Sequence, residues 1–329
     1  MGQSYRHIAI DLEPALATVS PASPGSQHED IRHDVQSYRI FVPTPTNEAG
    51  GNPLLQESRS ALVSGAGTGI GRATSLLLAE SGYCVALVGR RPEPLNEVKD
   101  EITAQGGRAE TISADVGAPD GAESAVAAAL GAFGRLDTLI CNHGVGASAP
   151  VGDDTPEGWD STLRINLTGP FLLARAAIPH LIASRGSIVN VSSTNGCQAE
   201  PGWASYDVSK AGVIMLTRCL ANDYGPQGVR ANCVCPGWVR TPMGDESMEE
   251  VADKWGGSLE DAYWLCSRDT PLRRPAKPSE IAEVIVFLAG PKASYMSAAT
   301  VVVDGGGMAV DGSSTAFHGP QQRLRELLA

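Results

Sequence analysis

From Ser60 onward, short Val- and Ile-rich stretches take turns with helical patterns, and this alternation constrains the fold more than any other feature of the chain. The runs 61–64, 84–88, 137–141, 187–191, 229–234 and 300–303 are nearly continuous in apolar character. That suits strands of a parallel sheet buried on both faces. Helical patterns cover residues near 70–81, 93–105, 119–133, 157–184, 203–224 and 279–289. Parallel neighbours need crossover helices, so the pattern predicts an α/β fold with an open, doubly wound parallel sheet in three layers. A single such domain is expected over 59–310.

The flanks read differently. Residues 1–58 carry Pro14, Pro21, Pro24, Pro43, Pro45 and Pro53 among Ser, Thr, Gln and Asn without a period, and are expected to be a disordered extension. Residues 311–329 form a C-terminal tail that either folds into a short amphipathic turn or frays. Net charge is -12, with Lys and Arg scattered rather than blocked, so neither nucleic acid nor an anionic membrane is an expected partner. No run of about 18 apolar residues occurs, and the start lacks the compact apolar stretch of a secretory signal. A cytoplasmic enzyme is expected. The seven cysteines show no zinc-ligand spacing, and no metal site is predicted.

The first apolar run leads directly into Ser64-Gly65-Ala66-Gly67-Thr68-Gly69-Ile70-Gly71, and a helical pattern follows. Glycines between a strand and a helix let backbone amides approach a pyrophosphate at the positive helix end, which makes the predicted sheet one of Rossmann type. The second run ends at Val88-Gly89-Arg90-Arg91, where dinucleotide folds usually carry an acidic residue for the ribose of NAD. Here Gly89 leaves room for a phosphate and Arg90 can pair with it bidentately. NADP(H) is therefore the expected cofactor. NAD(H) is the alternative if Arg90 and Arg91 stay solvated or stack on adenine.

Tyr206 and Lys210 stand four apart in a helical stretch, which places phenol and ammonium on one face. A nearby cation favours tyrosinate and is expected to lower the phenol pKa towards neutrality. Such a pair is common by chance. It gains meaning from Ser192-Ser193, which ends the strand 187–191 thirteen positions before the tyrosine.

Taken with the glycine turn and Pro236-Gly237, these residues resemble the short-chain dehydrogenase/reductase family over about residues 60–307. The resemblance implies that Ser193 hydrogen-bonds a substrate carbonyl, that Tyr206 supplies or removes the proton, and that Lys210 holds the nicotinamide ribose. Asn166 matches the asparagine that supports the lysine through a water. Cofactor contacts are implied for Gly65, Thr68, Gly69, Ile70, Gly71, Asp115, Val116, Asn142 and Gly144, as well as for Arg90 and Arg91. Val239 and Thr241 would meet the nicotinamide carboxamide. Cys141 and His143 depart from the family pattern, in which Asn precedes Asn-Ala-Gly. His143 reads as a local packing substitution or as a proton relay. The resemblance also implies a homodimer or homotetramer built on the helices 157–184 and 203–224.

Aromatics make up only 5% of the chain, yet Trp203, Trp238, Trp255 and Trp264 fall beside the tyrosine helix or in the segment after Pro236. That segment corresponds to the family's variable substrate loop. A lipophilic, cyclic or aryl-bearing ketone or secondary alcohol is the expected substrate. The alternatives are a 3-oxoacyl-thioester reductase acting on an acyl carrier protein, and an NADP(H)-sensing protein without turnover.

Overall fold

In the computed structural model every apolar run becomes a strand, and all the strands run parallel. The structure describes residues 58–146 and 148–311, so the expectations for the N-terminal extension before Ser58 and for the tail after Asp311 lie outside the described residues. The strands are β1 (Ser60–Ser64), β2 (Cys84–Gly89), β3 (Arg108–Ser113), β4 (Thr138–Cys141), β5 (Ser187–Val191), β6 (Arg230–Pro236) and β7 (Thr300–Val303). Their order across the sheet is β3-β2-β1-β4-β5-β6-β7. All residues of β1, β4 and β5 are buried, as continuous apolar runs between two helical layers require.

The helices divide between the two faces. On one side α1 (Gly69–Glu80), α2 (Pro92–Ala104) and α9 (Pro278–Ala289) bring Leu78, Leu95, Val98, Ile281 and Ile285 onto the sheet. On the other, α3 (Pro119–Phe133), α5 (Gly169–Ser184) and α6 (Ala204–Tyr224) contribute Val126, Leu173, Leu181 and Leu220. The sheet order reverses between β1 and β4, and the C-terminal ends of the strands open a crevice there, where open α/β sheets bind ligands.

Three local features differ from the sequence expectation. Strand β3 is added at the sheet edge, where its sequence Arg-Ala-Glu-Thr-Ile-Ser keeps only Ile112 buried. The predicted long helix 157–184 is α4 (Pro156–Leu163), a five-residue π-helical turn (Arg164–Thr168) and α5. The segment matched to a variable loop folds into α7 (Pro242–Trp255) and α8 (Leu259–Ser267), capped by the Thr241 and Ser258 hydroxyls. No helix among the described residues is long and apolar enough to cross a membrane.

Candidate active site

The glycine turn packs where no side chain fits. A Cβ on Gly71 would collide with the Gly65 carbonyl oxygen. Gly69 takes φ +53° and would press a Cβ against Thr241 Cγ2 at 2.9 Å. Thr68 caps α1 without a side-chain hydrogen bond, so the first-turn amides of that helix keep their donors for a ligand. In front of the turn lies a cavity of about 300 Å³. Of the predicted cofactor residues, Gly65, Thr68, Gly69, Ile70, Arg90, Arg91, Asp115, Val116, Asn142, Gly144, Tyr206, Lys210 and Thr241 line it. Gly71 sits behind the turn, and Val239 lines the neighbouring cavity.

Arg90 and Arg91 are exposed at the end of β2 beside Gly89. Asp115 accepts the Gly117 N–H at 3.0 Å and pairs with Arg164 at 3.2 Å. Against the upward push of burial, these partners hold its carboxyl below the ordinary value. The donor set therefore suits a dinucleotide: free amides at a helix N-terminus for phosphates, a guanidinium pair at the β2 end, and no carboxylate among Gly89, Arg90 and Arg91.

Ser64, at the end of β1, was not singled out by its sequence context, yet it organises this wall. Its Oγ accepts the Asn142 N–H at 3.1 Å and lies 2.6 Å from His143 Nδ1. Burial, with the Lys210 ammonium adding to it, pushes His143 down to about 4, so the ring is neutral at physiological pH. Its Nε2 points at Gly169, where a Cβ would occupy the ring's space. That Nε2 is buried without a hydrogen-bond partner among the described residues, and the ring also lines the cofactor cavity.

Ser193 follows β5 and Tyr206 lies in the first turn of α6, and both line the walls of two adjoining cavities. The expectation that Lys210 lowers the phenol is not met. Burial dominates and pushes Tyr206 up to about 12, opposed by a hydrogen bond with Ser193. The Lys210 ammonium lies 5.5 Å over the Tyr206 ring centroid and donates to the Val191 carbonyl at 3.2 Å. Its own burial brings it down to about 8, which the i,i+4 spacing could not reveal.

Asn166 is carried by the π-helical turn. Its Oδ1 accepts the Val145 N–H at 2.8 Å, and its Nδ2 donates to the Val145 carbonyl at 2.9 Å and to Ser209 Oγ at 3.1 Å. A Cβ on Gly144 would stand 3.2 Å from Asn166 Oδ1 and 3.4 Å from Lys210 Nζ, so Gly144 occupies the space between them. Replacing Asn166 by Ala strands the Val145 amide and carbonyl, and should cost about 1–3 kcal/mol in thermal or denaturant unfolding. An unchanged unfolding midpoint would show that the bridge is dispensable.

A second cavity, of about 620 Å³, opens beside Ser193 and Tyr206. Trp203 and Trp238 line it with Met243 and Met308, and Trp203 meets Tyr206 edge-on at 5.6 Å. Trp255 and Trp264 do not. Trp255 is 55% exposed against a separate cavity between α7 and α8, and Trp264 lies under Arg268. Their helical register turns them away, which a loop reading of this segment could not anticipate. The sequence reading also missed Asp207, whose carboxylate accepts Asn195 Nδ2 at 2.9 Å and the Glu200 N–H at 2.7 Å, fixing the loop after Ser193. Its placement in the first turn of α6 was the available signal.

Comparison with known proteins gives consistent matches. A family profile described as enoyl-(acyl carrier protein) reductase matches residues 65–307. The A-factor type gamma-butyrolactone 1'-reductase (1S-forming) of Streptomyces virginiae is 41% identical over 256 residues, covering 77% of this chain and 96% of the relative. The 3-oxoacyl-[acyl-carrier-protein] reductase of Thermotoga maritima is 34% identical over 251 residues, covering 76% and 98%. Among solved structures, actinorhodin polyketide ketoreductase with NADPH superposes with a TM-score of 0.73 at 34% identity, covering 77% and 98%.

Proposed function

This chain is a short-chain dehydrogenase/reductase, an NAD(P)-dependent enzyme acting on CH–OH and C=O groups, and we propose that it interconverts a lipophilic or cyclic ketone and its secondary alcohol with NADP(H). One observation carries the reading: Ser193 and Tyr206 line both the cleft in front of the glycine turn and the aromatic cavity beside it. A carbonyl held by these two hydroxyls would meet the cofactor cleft directly.

In this reading the α1 amides and the glycine turn hold the pyrophosphate, Arg90 and Arg91 take the 2′-phosphate, and Lys210 holds the nicotinamide ribose. Val239 and Thr241 face the carboxamide. Bound there, NADP(H) supplies or accepts the hydride. Ser193 donates a hydrogen bond to the carbonyl oxygen, and the Tyr206 hydroxyl delivers its proton to that oxygen as charge develops. Trp203 and Trp238 cover the apolar part of the substrate and keep water from the reacting carbon. Asn166 is a positioning residue that fixes the Val145 backbone beside the Lys210 head.

Burial of the phenol gives the reaction a direction with pH. With Tyr206 near 12 the proton stays on oxygen at neutrality, so ketone reduction should be level there and weaken only in the alkaline range. Alcohol oxidation needs the phenolate, and should climb by up to about tenfold per pH unit between about pH 6 and 9. Initial rates in both directions across that range test this; an oxidation rate independent of pH would argue against Tyr206 as the base.

A 3-oxoacyl-thioester substrate is the second reading, favoured by the Thermotoga relative. Comparing a 3-oxoacyl carrier protein with free cyclic ketones separates the two by kcat/KM. Tight NADPH binding without turnover of any carbonyl would instead support a sensor. Half-exposed Phe171 on α5 and Val208 and Met215 on α6 support a homo-oligomer formed through these helices.

A further inference from the structure

The larger cavity carries three carboxylates, Glu200, Asp269 and Asp304, and no Lys, Arg or His among the described residues that line it. Two of the three are committed elsewhere. Asp304 accepts the Gly306 N–H at 2.8 Å and the Met308 N–H at 2.7 Å, which closes the turn after β7. Asp269 pairs with Arg268 at 3.2 Å. Glu200 differs from both. Its carboxylate accepts a hydrogen bond only from the neutral Asn195 amide, at 2.9 Å, and among the described residues no cation lies within ion-pair distance of it.

The placement of Glu200 is fixed rather than incidental. Asp207 holds its N–H at 2.7 Å and binds the same Asn195 amide at 2.9 Å, so the loop between Ser193 and α6 is tied at both ends. Behind burial, the charge of Glu200 raises the Cys266 thiol, and behind burial and the Asp207 charge it also raises the Tyr206 phenol; both groups line the same cavity. Glu200 is exposed, so water offsets its charge before a substrate binds, and an anionic substrate entering here would bring a second negative charge beside it as that water leaves. Coulomb repulsion strengthens as the local dielectric falls. A like-charge contact of this kind discriminates by rejection rather than by added attraction.

We infer that Glu200 sets the charge selection of the substrate cavity: it admits uncharged or cationic carbonyl compounds and rejects carboxylates and phosphates. The inference rests on the ketone/alcohol reading above, and it narrows that reading to a substrate class.

The test uses three cyclohexanones that share one frame and differ only in the group opposite the carbonyl: methyl, carboxylate or dimethylammonium. With the full chain and NADPH, kcat/KM for the ammonium ketone should exceed that for the carboxylate by about fivefold or more. Normalised to the methyl ketone within each variant, Glu200→Gln should bring that ratio close to one and Glu200→Lys should invert it. The Gln side chain keeps an acceptor for Asn195, which guards against a trivial folding defect. A wild-type ratio near one, or a ratio unchanged in Glu200→Gln, would overturn the inference while leaving the ketone/alcohol reading intact. Should none of the three be reduced, the ketone/alcohol reading fails on this frame. Calorimetric binding of the same compounds to the NADPH-loaded protein then decides charge selection by the same ratios.

Discussion

Tyr206→Phe will lower kcat for carbonyl reduction by about 10³-fold, the scale on which a positioned general acid contributes, while NADPH binding stays close to wild type. The ring is retained, so the edge contact with Trp203 at 5.6 Å and the Lys210 ammonium above the ring keep their places. Only the hydroxyl is lost, and with it the hydrogen bond to Ser193 and the proton for the developing alkoxide. Steady-state rates together with NADPH fluorescence titration check both halves. A variant that turns over at near-wild-type rates would remove Tyr206 from the chemistry.

Arg90→Ala will weaken NADPH by about 10- to 100-fold, the equivalent of one or two charge-assisted hydrogen bonds, with NADH affected far less. Arg90 stands exposed at the rim of the cofactor cavity, and neither Gly89 nor Arg91 offers a carboxylate to a ribose hydroxyl. Titration of each reduced cofactor against the variant gives the comparison. Equal losses for both cofactors would place Arg90 on the adenine instead of on a 2′-phosphate, and no loss for either would leave it in solvent.

The sheet was largely legible from residues because its central strands are buried on both faces and so read as unbroken apolar runs, as in Leu62, Val63, Ile188 and Val189. Strand β3 escaped because an edge strand needs no such run, and Glu110 and Ser113 can face water. Helix α7 was written in the spacing of Met248, Val251, Ala252 and Trp255, but the segment corresponds to the family's variable substrate loop and so reads as a loop. The π-helical turn that presents Asn166 had no local signal, since it depends on contacts with Val145 and Ser209 from other elements.

The site divides in the same way. That the glycine turn, Ser193, Tyr206 and Lys210 meet was legible, because glycine turns, strand ends and an i,i+4 pair are local patterns. Their protonation was not. Lys210 is buried and Tyr206 half-buried at the cavity wall, and the loss of water there outweighs the attraction that their spacing suggests. His143 is a similar case: only the glycine at position 169 shows how the ring is accommodated.

Hydride transfer to a carbonyl is the step on which the proposed activity turns. A panel of cyclic and aryl ketones, followed by the loss of reduced-cofactor absorbance with NADPH and NADH in parallel and by quantifying the alcohol formed, measures it directly. The expected result is one alcohol formed per NADPH consumed, with NADPH used in preference to NADH. Tight NADPH binding with no alcohol formed from any ketone in the panel would contradict it.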